Sequence, residues 1–262
     1  MNNQPIGLFD SGIGGTSIWK EIIKLLPNEQ TIYLADSKNA PYGEKSKGEI
    51  IALCVKNTEL LISKGCKLIV VACNTATTNA IAYLRENYDV PFIGIEPAIK
   101  PAALYSETGA VGILATKGTL TSALFEKTAN EYTKKITVIE QDGEGLVSLI
   151  EQGEINSLEL ENLLATYLKP MLNFNVDHLV LGCTHYPYLI PQIKKIIGDK
   201  IQIIDSGEAV AKQTKAILSK HHLFCNEKHT NPHQFYINID KSVLEKMLVD
   251  VSVSFTIEEL AF

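Results

Sequence analysis

Short apolar runs recur along the chain and alternate with longer stretches whose apolar residues share one face of a helix. The strand-like runs stand at Ile6–Phe9, Ile32–Ala35, Leu68–Ala72, Phe92–Ile95, Ala110–Leu114, Ile136–Ile139, Leu179–Leu181 and Ile201–Ile204. Most are continuously apolar, the pattern of strands buried on both faces, and with helices between them they predict an α/β fold of parallel sheets flanked by helices. Helical periodicity is clear in Ile18–Leu26, which Pro27 stops, and in Glu49–Lys64, where Ile50, Leu53, Cys54, Asn57, Leu60 and Leu61 fall on one face. Near the end the pattern changes. Gln234–Ile239 and Val251–Phe255 alternate like half-exposed strands, and this tail is expected to pack back onto the first part of the chain.

The pattern also repeats. Leu68-Ile-Val-Val-Ala-Cys73-Asn74-Thr75 and His178-Leu-Val-Leu-Gly-Cys183-Thr184-His185 are two apolar runs that each end in a cysteine, and Glu96 and Ser206 follow their cysteines at the same offset. Upstream, Ile6-Gly-Leu-Phe9 before Asp10-Ser11-Gly12 has a counterpart in Val111-Gly-Ile-Leu114 before Ala115-Thr116-Lys117. Self-similarity on this scale predicts two pseudo-symmetric lobes, residues 1–96 with 208–262 and residues 97–207, crossing at Pro97 to Pro101 and at Asp205-Ser206-Gly207. Strands of this kind bind ligands at their carboxyl ends, so the two cysteines are expected to face one cleft between the lobes.

Composition narrows the picture further. A net charge of −6 without a long block of one sign gives no reason to expect a nucleic acid or an anionic membrane as partner. Met1-Asn-Asn-Gln-Pro5 has no basic n-region, the apolar runs are too short for a membrane span, and five cysteines, an odd number, suit a reducing compartment. A cytoplasmic protein is expected.

Chemistry begins at Asp10-Ser11-Gly12-Ile13-Gly14-Gly15-Thr16, a glycine turn between a strand and a helix. Its free amides suit an anion such as a substrate carboxylate, or the glycines serve packing alone; the ending of a nucleotide-binding loop is missing. Cys73 is followed by Asn74 and Thr75, and Cys183 by Thr184 and His185, short polar groups at the start of predicted helices, where the helix terminus is expected to lower a thiol pKa. A single cysteine is more often a small buried hydrophobe, the reading given to Cys54 and Cys66, but two in the same place of a repeat favour reactive thiols. Asp10 serves equally as a helix cap, His185 as a turn cap and Glu151 as a solvated helix end. His221, His222, Cys225, His229 and His233 have metal-ligand chemistry but lie in what reads as a polar surface loop, so no metal is expected.

The segments Gly7-Leu-Phe-Asp10-Ser11-Gly-Ile-Gly-Gly15, Ala35-Asp36 with Pro41-Tyr42-Gly43, Val70-Val-Ala-Cys73-Asn74-Thr75-Ala76, Gly94-Ile-Glu96-Pro97 and Leu181-Gly-Cys183-Thr184-His185-Tyr-Pro187 closely resemble the glutamate racemase family of the aspartate/glutamate racemase superfamily, over essentially the whole chain. The resemblance implies inversion of glutamate at Cα without a cofactor, Cys183 deprotonating the L-enantiomer and Cys73 the D-enantiomer, with Asp10, His185 and Glu151 assisting. It implies substrate contacts from Asp10, Ser11, Tyr42, Gly43, Asn74, Thr75, Thr119, Thr184 and His185, a homodimer, and a role in supplying D-glutamate for peptidoglycan. Two rivals stand beside it: a racemase for aspartate or a hydantoin, and a non-catalytic two-lobed amino-acid-binding protein.

Overall fold

The computed structural model describes residues 3–132, 136–225, 229 and 231–262. Its strands are β1 (Ile6–Asp10), β2 (Thr31–Ala35), β3 (Leu68–Val71), β4 (Phe92–Gly94), β5 (Ala110–Ala115), β6 (Thr137–Asp142), β7 (His178–Gly182), β8 (Gln202–Ile204), β9 (His233–Ile237) and β10 (Phe255–Glu259). They form a six-stranded sheet in the order β10-β9-β2-β1-β3-β4 and a four-stranded sheet in the order β6-β5-β7-β8. Every pairing is parallel.

The repeat in the sequence is thus a repeat of topology: β1 and β5 hold the same interior place, flanked by β2 and β3 in one sheet and by β6 and β7 in the other. β1, β2, β3, β5 and β7 are buried along their whole length, as continuous apolar runs require. Helix Lys47–Ser63 opens with a capping box between Ser46 and Glu49 and buries Ile50, Cys54, Asn57 and Leu61. The chain leaves the first sheet after β4 and the second after β8, and the two crossings touch, Ser206 Oγ–H donating to the Glu96 carbonyl at 2.6 Å. Helix Gly207–Lys220 then packs on helix Thr16–Leu25.

The tail returns to the first sheet as expected, but its last strand lies four residues later than the alternation suggested, at Phe255–Glu259. The alternation of Val251-Ser-Val-Ser-Phe255 continues without a break into Thr256-Ile257, so period alone leaves the bounds open. Parallel pairing to β9, with Phe255 opposite His233 and Ile257 opposite Phe235, sets them. His233 proves to be a core residue: Thr31 Oγ1 accepts from Trp19 Nε1 at 2.7 Å and lies 2.9 Å from His233 Nδ1, and burial depresses the imidazole pKa to about 4. Among the described residues no three His, Cys, Asp or Glu side chains gather as a metal site, and no helix is long and apolar enough to cross a membrane.

Beneath the first sheet Lys67 Nζ lies 2.6 Å from Glu29 Oε2, both side chains nearly inaccessible, and Glu29 Oε1 accepts the Cys225 N–H at 2.8 Å. Removing one member of such a pair strands a buried charge, whereas replacing both with apolar side chains removes the charge problem altogether. Glu29→Ala is therefore expected to cost about 3–5 kcal/mol in urea denaturation, and Glu29→Met combined with Lys67→Met considerably less.

Candidate active site

Three strand ends converge: β1 delivers Asp10, β3 leads to Cys73, and β7 leads to Cys183. The thiols come from different sheets and line one cavity of about 10 Å³, room for about one water. Ser11, Tyr42, Gly43, Asn74, Thr75, Thr184 and His185 share its lining, together with Pro41, Thr116 and Val147. Asp10, Glu151 and Thr119 stand behind that lining. A second cavity of about 630 Å³ shares Pro41, Gly43, Thr116 and Val147 with the first and is walled farther out by Lys45, Lys47 and Lys117.

On the Cys73 side the thiol donates to Ser11 Oγ at 3.7 Å. Asp10 is fully buried; its Oδ2 accepts the Gly15 N–H at 2.8 Å, and its Oδ1 lies 3.4 Å from Ser11 Oγ and 3.5 Å from Thr184 Oγ1. Burial raises the Asp10 pKa, with the nearby His185 acting against that rise. Cys73 caps helix Asn74–Asn87, yet its pKa is pushed well above the ordinary thiol value rather than lowered: burial dominates, the Asp10 carboxylate adds to it, and the hydrogen bond from Ala76 N–H only partly offsets them.

The Cys183 side is built differently. Residues 184–185 lead into a 3₁₀ turn, Tyr186–Leu189, and the α-helix expected here begins only at Ile190. His185 Nδ1 lies 3.7 Å from Cys183 Sγ, and His185 Nε2 lies 2.5 Å from Glu151 Oε1. A proton must sit between nitrogen and carboxylate oxygen at that separation. Burial disfavours the imidazolium, but the hydrogen bonds to Cys183 and Glu151 outweigh it and hold the His185 pKa well above 6.5.

Two amides of the glycine turn are taken by the protein's own carboxylates. Ile13 N–H donates to Glu151 Oε1 at 2.7 Å and Gly15 N–H to Asp10 Oδ2 at 2.8 Å. The glycines are required for a packing reason: a Cβ at Gly12 would overlap the Glu151 carboxylate, and one at Gly14 the His185 ring. Asn74 contrasts with these satisfied groups. It is buried, yet neither Oδ1 nor Nδ2 finds a hydrogen-bond partner among the described residues. A donor and an acceptor together on one cavity wall suit a carboxylate beside an ammonium. Thr75, Thr116 and Thr119 form a triangle of hydroxyls with sides of 2.7, 3.2 and 3.1 Å. Thr116, Pro41 and Val147 line the cavity without having been among the sequence candidates; for Thr116 the signal was its place after β5, which matches Ser11 after β1. Tyr42 donates to the buried Asp36 at 2.6 Å, which fixes the turn that carries Gly43.

A fold of two parallel sheets with paired thiols at their facing edges is that of a racemase superfamily, and sequence comparison agrees. The family model described as Asp/Glu/Hydantoin racemase matches residues 6–214, and the chain belongs to that family. It is similar to proteins named glutamate racemase: one from Herpetosiphon aurantiacus is 46% identical, covering 84% of this chain and 86% of the relative. The Escherichia coli glutamate racemase, solved with L-glutamate and the activator UDP-MurNAc-Ala, superposes with a TM-score of 0.87 at 32% identity over 98% of both chains. The Francisella tularensis glutamate racemase, solved with D-glutamate, gives a TM-score of 0.84 at 31% identity over 99% of this chain and 98% of its own.

The His185 contacts set a pH dependence. Because its folded pKa lies above 6.5, the stability that its protonation contributes is fully present below pH 6.5 and is lost as pH rises through the folded value. Glu151→Gln is expected to bring the His185 titration midpoint, followed by NMR of the imidazole protons, down toward 6.5 and to flatten the decline of stability over that window.

Proposed function

We propose that the chain interconverts L- and D-glutamate by acid/base catalysis between Cys73 and Cys183, without a cofactor. The observation that carries this reading is a small cavity lined by two buried thiols from different sheets and by the side chain of Asn74, whose amide finds no hydrogen-bond partner among the described residues.

Inversion at Cα needs one base and one acid on opposite faces of the same carbon. In the L-to-D direction Cys183 acts as thiolate, its charge balanced by the His185 imidazolium and that in turn by Glu151, and removes the α-proton. Cys73, kept as a thiol by burial and by Asp10, gives a proton to the other face. The D-to-L direction runs the same steps backwards. Asp10, itself raised by burial, is suited to hold a proton for Cys73 as the thiol is regenerated. The intermediate has carbanion character, so donors aimed at the α-carboxylate, Asn74 Nδ2–H and the Thr184 hydroxyl among them, stabilise the transition state, and closure of the lobes around the bound substrate would exclude water from the step.

A volume of about 10 Å³ does not hold glutamate. The two sheets, with the helices that cover them, are therefore read as lobes (1–96 with 208–262, and 97–207) that part to admit substrate through the larger adjoining cavity. On this reading Ser11, Tyr42, Gly43, Thr75 and Thr119 complete the substrate shell. The product supplies D-glutamate for peptidoglycan from a homodimer in the cytoplasm.

Incubating the purified protein with L-glutamate in D2O should abolish optical rotation and place deuterium at Cα. Cys73→Ala and Cys183→Ala should each slow racemisation by about 10²–10⁴-fold. Exchange with aspartate but with neither glutamate enantiomer would move the activity to a sister racemase. Binding with no exchange at all would sink the catalytic reading.

A further inference from the structure

Glu151 has two carboxylate oxygens, and only one of them faces His185. Oε1 meets His185 Nε2 and the Ile13 N–H, while Oε2 accepts a hydrogen bond from Ser37 Oγ–H at 2.7 Å. Ser37 belongs to neither cysteine motif and does not line the thiol cavity. It is buried at the start of the 3₁₀ turn Ser37–Asn39 that follows β2 of the first sheet, whereas Glu151 ends the helix Leu146–Glu151 that follows β6 of the second. Its backbone has a fixed seat, because the neighbouring Asp36 carboxylate receives Tyr42 Oη–H at 2.6 Å, Asn39 Nδ2–H at 2.7 Å and Asn238 Nδ2–H at 2.5 Å.

The last torsion of a glutamate side chain is soft, so a carboxylate held at one oxygen can swing its partner oxygen away from a target. We propose that Ser37 is a positioning residue of the proton relay, locking Glu151 so that Oε1 stays on His185 and, through the ring, on Cys183. Cys73 is served by Ser11 and Asp10 instead, so the effect of Ser37 falls on one of the two proton transfers. The inference rests on the racemisation proposed above, in which Cys183 meets L-glutamate.

Enantiomers have equal free energy, so any variant has the same kcat/KM in both directions and one-sidedness must be read elsewhere. Primary isotope effects on kcat/KM from α-deuterated glutamate supply that reading. If Ser37→Ala slows transfer at Cys183, that step limits more of the overall rate. The isotope effect should then rise with α-deuterated L-glutamate and fall with the D-enantiomer.

The full-length Ser37→Ala variant is expected to lose about tenfold in kcat/KM, the worth of one hydrogen bond to a charged acceptor. The two isotope effects should move in opposite directions, and Ser37→Thr should restore both. Added to Glu151→Gln, the substitution should cost nothing further, since the two residues act through one bond. A lowered melting temperature with both isotope effects unchanged overturns the proposal, as does an undiminished loss in the Glu151→Gln background. The imidazole titration of His185 needs no substrate and separates the two failures. Absence of α-proton exchange in the unmodified protein would end the racemase reading, while a His185 midpoint that shifts toward 6.5 in Ser37→Ala would still support the relay; an unmoved midpoint ends the relay.

Discussion

Ionisable groups taken out of water must find partners, and the arrangement around the two thiols follows from that constraint. Asp10, His185 and both cysteines are nearly inaccessible, and Glu151 is only slightly less so. An isolated charge in such a place is costly, so each charged form needs a counter-charge or a donor of its own. The turn after β1 meets much of this requirement: Gly15 N–H serves Asp10 and Ile13 N–H serves Glu151. Its glycines are there because the carboxylate and the imidazole lie directly against the backbone, where a Cβ would stand. Two amides of a loop that looks like an anion site thus serve carboxylates of the protein itself.

Matching topology does not give matching chemistry. Cys73 and Cys183 follow strands in equivalent positions of the two sheets, yet one thiol sits beside a carboxylate and the other beside an imidazole backed by a carboxylate. The carboxylate opposes a thiolate and the imidazolium welcomes one. The proposed reaction, which needs one thiol charged and the other neutral, would gain from this difference in neighbours. The repeated scaffold supplies the placement of the thiols, and their different neighbours make the two environments unlike.

Much of this was legible in the sequence, and the reasons are local. Continuously apolar runs such as Leu68–Val71 admit little besides a buried parallel strand, and the repeated cysteine offset exposed the two-sheet plan. Motif resemblance pointed to the site residues, and the structure brings Asp10, Cys73, Cys183, His185 and Glu151 together. What escaped depends on tertiary contact. No pattern says that Glu151 crosses to Ser37 and Ile13, since these residues lie far apart in the chain. The thiol pKa was misjudged at Cys73 because a helix start is visible in a sequence whereas the depth of burial is not. Thr116 was overlooked although its place in the repeat marked it.

Around the two thiols, several contacts between the two halves are hydrogen bonds. Ser37 and Ile13 reach Glu151, Ser17 Oγ–H reaches the Thr184 carbonyl at 2.8 Å, Thr16 Oγ1 lies 2.5 Å from Tyr188 Oη, and Thr75 meets Thr116. Hydrogen bonds of this sort are worth little net of the water bonds that would replace them, about 1 kcal/mol each. A seam made of them closes with defined geometry and opens at modest cost. An apolar seam would hold the cavity shut, and a loose one would leave the thiols unaligned. Behind these polar contacts the two sheets share a continuous apolar core that includes Ile13, Ile18, Leu146, Ile150 and Leu189. The halves are thus joined by a buried apolar core, with exchangeable polar contacts lying over it beside the thiol cavity.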